Sequence, residues 1–104
     1  MSETVTVIDQ ITLPQEHAEE WLSRWRADYI PAARTRGMRV VRQWRCFSAA
    51  DAVSVVVLWE VPGIYEFYGM RASATADPQV SRFWQWTDTL AVARERRVLE
   101  ELPQ

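Results

Sequence analysis

Between residues 4 and 13 apolar and polar positions alternate. Val5, Val7, Ile11 and Leu13 share one side, and Thr4, Thr6, Ile8 and Thr12 take the other. A period of two is that of a strand with one dominant apolar face, and Asp9 falls in phase with that face. Pro14 then opens a helix led by Glu16, Glu19 and Glu20, acidic residues that suit the positive end of the helix dipole. Ala18, Trp21, Leu22, Trp25, Tyr29, Ala32 and Ala33 recur at helical spacing and form one apolar stripe. Pro31 lies inside the stripe and predicts a kink or break near Tyr29, because it lacks a backbone donor. Gly37 is the expected residue just past the helix end.

Residues 38–48 predict a second strand, with Met38, Val40, Trp44 and Cys46 on one face and Arg42 in phase with them. Residues 49–51 turn into a third strand at 53–60. Its stretch from Val53 to Trp59 is nearly all apolar and mostly β-branched, which reads as a strand buried on both faces. Pro62 opens a second helix to about residue 75. Asp77 and Pro78 form a fresh N-cap and N1 pair for a helix over 78–92, with Val80, Phe83, Trp84, Thr87 and Leu90 facing inward. A polar edge strand over 94–101 closes the chain.

The order β-α-β-β-α-β is the split βαβ, or ferredoxin-like, arrangement. The fold expected is therefore α+β: one domain over 1–104, an antiparallel sheet, and a second helix split near Asp77-Pro78. Both helices would cover one sheet face. The other face carries Ile8, Val56 and Leu58, a patch unusual to leave in water. Packing two such faces about a two-fold axis predicts a homodimer through the open sheet face.

Composition narrows the chemistry. All twelve basic residues are arginine, so chemistry that runs through a lysine Schiff base, including pyridoxal attachment, is excluded. A net charge of −2 argues against a nucleic-acid partner. Arg94, Arg96 and Arg97 cluster, but Glu95, Glu100 and Glu101 surround them and give a mixed-charge surface. No apolar run approaches the roughly 18–20 residues of a membrane span, and the first residues lack a basic or apolar leader. A cytoplasmic setting is expected, and with Cys46 the sole cysteine no internal disulfide can form. One histidine, one cysteine and three glycines predict neither a metal site nor a phosphate loop, so no cofactor is expected. Six tryptophans exceed what a small core needs, which points to a flat ligand or a subunit interface.

Over nearly its whole length the chain resembles the dimeric α/β-barrel superfamily. The segment from Tyr29 to Gly37, Leu58-Trp59-Glu60, and Ala76-Asp77-Pro78 followed by Phe83 are similar to the NIPSNAP-type branch. Trp59 at a strand end, with Tyr65 six residues on, also resembles the cofactor-free antibiotic-biosynthesis monooxygenases. The resemblance implies a pocket between the helix-facing side of the sheet and its helices. Superfamily members include polyketide cyclases, isomerases, monooxygenases and proteins without known activity, so the fold does not choose a reaction. Many of the cyclases and monooxygenases use a pocket histidine, and the latter an asparagine. Here His17 sits in the first helical turn among acidic residues, and asparagine is absent.

Three residues are candidate catalytic groups: Asp9, Asp28 and Tyr65. Asp9 and Arg42 are each in phase with an apolar face, so they either pair with each other or reach the sheet rim, or Asp9 acts as a desolvated general base for proton abstraction. Asp28 borders the first helix's stripe beside Tyr29, where it is otherwise a solvated rim carboxylate. Trp25, Tyr29, Trp44, Trp59, Tyr68 and Trp84 are candidate walls of a substrate cavity, against core packing as the plainer account. Arg42 and Arg71 would steady negative charge on the substrate, unless Arg71 serves a surface ion pair with Glu66 or Asp77. The function expected is a cofactor-free cyclase or isomerase moving a proton on a hydrophobic aromatic or polyketide-like molecule. Oxidation of a phenol without cofactor, and ligand binding without catalysis, are the alternatives.

Overall fold

The computed structural model describes residues 4–103, the Ser48 side chain excepted, so the first three residues read above for a leader lie outside it. Strand β1 (Val5–Pro14) leads into helix α1 (Gln15–Arg24), a π-helical turn (Trp25–Tyr29) and helix α2 (Ile30–Thr35). Strands β2 (Arg39–Ala49) and β3 (Ala52–Val61) form a hairpin. Helices α3 (Ile64–Ala76) and α4 (Pro78–Leu90) then lead to strand β4 (Ala93–Glu100). All pairings are antiparallel and the sheet order is β2-β3-β1-β4, the ferredoxin-like order. Among the described residues no helix is long and apolar enough to cross a membrane.

The irregularity expected near Tyr29 takes the form of a π-helical turn rather than a break. A π-helical turn absorbs the proline's missing donor and ring bulk, so the helical stripe runs on without a gap. The Ile30 amide reaches back to the Trp25 carbonyl, five residues away. At the end of α2, the Gly37 amide bonds the Arg34 carbonyl and the Met38 amide bonds the Ala33 carbonyl, both at 3.0 Å. This is a Schellman closure, and it holds Gly37 at φ 95°, where a side chain would be strained. The second helix starts two residues beyond Pro62, with Gly63 at its N-cap. Its split occurs where expected, with the Asp77 carboxylate accepting from the Gln79 amide to cap α4.

Val5, Val7, Ile11 and Leu13 of β1 and Val53, Val55, Val57, Trp59 and Val61 of β3 form the helix-facing side. Trp21, Trp25, Tyr29, Ala33, Phe67, Met70, Val80 and Phe83 cover them. The ring packing is dense: Trp21 stacks on Trp25 at 5.6 Å, and Trp25 meets Trp59 edge-on at 6.0 Å. The Trp21 indole N–H donates to the buried Thr87 hydroxyl at 2.9 Å, which satisfies both polar atoms inside the core. Part of the tryptophan excess thus serves the core itself.

The face of β2 departs from the sequence expectation. Val40 lies opposite Trp59, yet Arg42 lies opposite Leu58, so Val41 is an extra residue and the strand bulges there. One inserted residue sends every later side chain to the other face. Arg42, Trp44 and Cys46 therefore join Val56, Leu58 and Ile8 on the open side, and Trp44 is 47 % exposed. Arg45 turns inward instead and pairs with Glu19 of α1.

Candidate functional site

One polar group sits inside the helix-facing layer. Asp9 occupies the middle of β1 and is 3 % exposed. The antiparallel pairing of β1 with β4 places Arg96 directly opposite it. Arg96 grips the carboxylate side-on, Nε donating to Oδ1 at 2.6 Å and Nη2 to Oδ2 at 2.8 Å. The Trp59 indole N–H, from the neighbouring strand on the other side, donates to Oδ2 at 3.0 Å. Arg96 Nη2 also donates to the Tyr29 hydroxyl at 3.2 Å, which ties the π-helical turn to the far edge of the sheet.

The charge of Arg96 is fixed by its neighbours. Burial disfavours the Arg96 cation, but hydrogen bonds and charge from Asp9, and then Tyr29, outweigh it and hold its pKa above the ordinary arginine value. Asp9 spends its carboxylate on three donors, so the structure makes it the anchor of Arg96. The expected pairing of Asp9 with Arg42 does not occur, because the β2 bulge puts Arg42 on the opposite face.

Beside this cluster an open cleft of ≈ 410 Å³ runs between α3, α4 and β4. Tyr29, Met70, Arg71, Val80, Trp84, Arg94 and Arg96 are among its walls. A smaller hollow of ≈ 140 Å³ reaches Asp9 and Ile11. Trp84, Arg94 and Arg96 line both, with the Arg94 guanidinium 4.9 Å from the Trp84 ring and that of Arg96 at 6.0 Å. At the mouth, Arg94 holds Asp88 through two hydrogen bonds of 2.6 and 3.1 Å. Those bonds keep the Asp88 carboxyl below its ordinary range against a small opposing effect of burial, and the charge of Arg94 adds to them. Arg71 forms no ion pair among the described residues, neither with Glu66 nor with Asp77.

The sequence candidates thus divide. Asp9, Tyr29, Trp59, Arg71 and Trp84 gather around Arg96. Trp25 and Trp59 are 1 % and 0 % exposed and belong to the solid ring cluster, so the interior around Trp59 is filled. Tyr65 is 86 % and Tyr68 59 % exposed, because α3 turns only Phe67 and Met70 inward. Neither tyrosine joins Trp59 in a cavity. Asp28 faces solvent and pairs with Arg24 one turn earlier, beside a separate groove between the π-helical turn, α2 and α4. Arg42 and Trp44 stand on the open sheet face. Arg96 and Arg94 were missed as site residues. Alternation along β4 gives them a common face, but only the β1–β4 register shows that this face meets Asp9. Among the described residues no three His, Cys, Asp or Glu side chains converge to hold a metal ion.

The sequence matches no protein-family model and no curated protein. Solved structures, however, share the fold across almost the full chain. A NIPSNAP domain protein from Burkholderia xenovorans superposes with a TM-score of 0.73 at 18 % identity, covering 96 % of this chain and 94 % of its own. A NIPSNAP family protein from Agrobacterium tumefaciens gives a TM-score of 0.77 at 13 % identity, covering 98 % and 89 %. An antibiotic biosynthesis monooxygenase-like protein from Nitrosomonas europaea gives 0.65 at 11 % identity, covering 98 % and 93 %. The chain has the ferredoxin-like fold of the NIPSNAP and antibiotic-biosynthesis-monooxygenase structures.

Proposed function

We propose that this protein binds a small, largely apolar aromatic or polyketide-like molecule in the cleft between α3, α4 and β4, and moves a proton on it without a cofactor. The observation that carries this reading is the Asp9–Arg96–Tyr29 relay beside Trp84. The Tyr29 hydroxyl accepts from Arg96, and its own proton has no acceptor among the described residues. A phenol in that state donates a hydrogen bond to a substrate oxygen or a proton to a substrate carbon. The adjacent guanidinium then steadies the phenolate left behind. A single phenol that delivers a proton to one atom of a conjugated system and takes one from another performs an isomerisation. Where the enol so formed attacks a carbonyl in the same molecule, the result is a cyclisation. Trp84 supplies a flat wall and Arg71 an unpaired positive charge at the mouth.

Tyr29→Phe is the direct test. It keeps the ring and removes the hydroxyl, so turnover should fall by about 10²–10⁴-fold while affinity for the substrate changes little. The assay follows product profiles by mass spectrometry over a panel of aromatic acids and poly-β-ketones. Turnover untouched by Tyr29→Phe would sink the proton role. Tight binding with no turnover in the wild type would leave a binding protein. Oxygen uptake on substrate addition would favour the monooxygenase reading, which the Nitrosomonas structure makes worth measuring.

The same reading includes a homodimer formed through the open sheet face. Trp44 is 47 % and Leu99 42 % exposed there, beside half-buried Ile8, Val56 and Leu58. Apolar residues on an otherwise uncovered sheet face, here interspersed with Arg42, Gln10 and Arg97, favour burial against a second copy. The double variant Trp44→Glu and Leu58→Arg should turn a dimer into a monomer in analytical ultracentrifugation. A wild type that sediments as a monomer at tens of micromolar would refute the dimer.

A further inference from the structure

The walls of the cleft between α3, α4 and β4 carry four ionised side chains, and three of them are already answered. Arg94 spends Nε and Nη2 on Asp88, and Arg96 spends the same edge of its guanidinium on Asp9. Arg71 is the fourth. It is exposed on α3, lines the cleft, and its guanidinium has no ion pair or hydrogen bond among the described residues.

Two neutral groups beside it are equally uncommitted. Ser81 and Gln85 stand four residues apart on α4, hence on one face of that helix, and both are exposed and line the cleft. Neither the Ser81 hydroxyl nor the Gln85 amide bonds another described residue. Thr75 differs, because its hydroxyl donates to the Arg71 carbonyl. Beneath these exposed groups the walls are apolar: Met70 and Val80 are buried, and Trp84 is half-buried. The cleft thus has a greasy floor and a rim of free donors, one of them a full positive charge.

This distribution decides which molecules it suits. A ligand that fills the cleft takes water from Arg71, and a cation stripped of water without a counter-charge is costly. A neutral ring compound leaves that cost uncovered. A cationic one fares worse, since Asp88, the one carboxylate lining the cleft among the described residues, is held by Arg94 through two hydrogen bonds. A carboxylate matches the planar guanidinium fork in a bidentate pair and keeps lone pairs for the Ser81 hydroxyl or the Gln85 amide.

We infer that Arg71 is the anchor for a carboxylate on the ligand, so that the molecules bound are aromatic or conjugated carboxylic acids, with the acid group at the α3–α4 rim and the ring system against Met70, Val80 and Trp84. The inference rests on the cleft being the ligand site proposed above. It adds the chemical class of the ligand and the residue that selects it.

The test is calorimetric titration of the full chain with 2-naphthoate and its neutral counterpart 2-naphthamide. The wild type should bind naphthoate about tenfold or more tightly than naphthamide. Arg71→Met keeps the apolar stem, removes the guanidinium, and should bind the two probes alike. Arg82 also lies on α4 but lines the separate groove beside α2. Arg82→Met removes the same charge from the protein and should keep the full preference. A preference that survives in Arg71→Met, or that Arg82→Met abolishes as well, overturns the inference and leaves the cleft as a site anchored elsewhere. Equal binding of both probes by the wild type also overturns it, with the ligand site still standing. If neither probe binds the wild type at millimolar concentration, the ligand site itself falls, and the inference with it.

Discussion

Arg96→Met is expected to destabilise the protein by about 3–5 kcal/mol, because it strands the Asp9 carboxylate in the core with the Trp59 N–H as its sole remaining donor. The measurement is urea unfolding at fixed protein concentration, read as a fall in the midpoint with little change in slope. The penalty belongs to the broken pair and not to the lost cation alone. The double variant Asp9→Leu with Arg96→Met should therefore recover most of the loss, since apolar replacement of a whole buried pair is often neutral or stabilising. Recovery of stability without recovery of activity would separate the two roles of this pair: holding β4 to β1, and presenting a charge to Tyr29. Equal loss in the single and double variants would show that Arg96 contributes by packing and not by charge.

Trp59→Ala should cost a comparable amount, about 3–5 kcal/mol for a fully buried large aromatic. Trp59 is 0 % exposed, contacts Trp25 and Tyr29 edge-on at 6.0 Å each, and donates to Asp9. Truncation leaves a cavity and removes one of Asp9's three donors. Trp59→Phe keeps most of the ring volume but loses the N–H, so its smaller loss measures the hydrogen bond apart from the cavity. Thermal and urea unfolding of both variants provide the comparison. A loss under 1 kcal/mol for the alanine variant would mean that the ring cluster closes over the gap, contrary to its close packing.

The site stands where three strands and the π-helical turn meet, and this explains how far it could be read from the chain alone. Asp9 was conspicuous because a carboxylate in phase with an apolar face needs a partner. Its partner was invisible, since Arg96 lies 87 positions away and is recognised only through strand register. Arg42 was in phase with the apolar side by simple alternation, and one bulged residue at Val41 reversed that assignment. Trp59 and Tyr65 suggested a shared pocket from their spacing. Packing put one at the centre of the core and left the other on the outer surface of α3.

The sequence by itself determined the order and type of the elements, the helix-facing sides of β1 and β3, and the split at Asp77-Pro78. Those features follow from local periodicity, capping residues and proline positions, which act over a few neighbouring residues. Tertiary structure alone decided which charge answers Asp9, where β2 changes face, and that Arg71 is left without a counter-charge among the described residues. Hydrogen-bond satisfaction is a property of atoms brought together from distant parts of the chain, and periodicity carries no record of it.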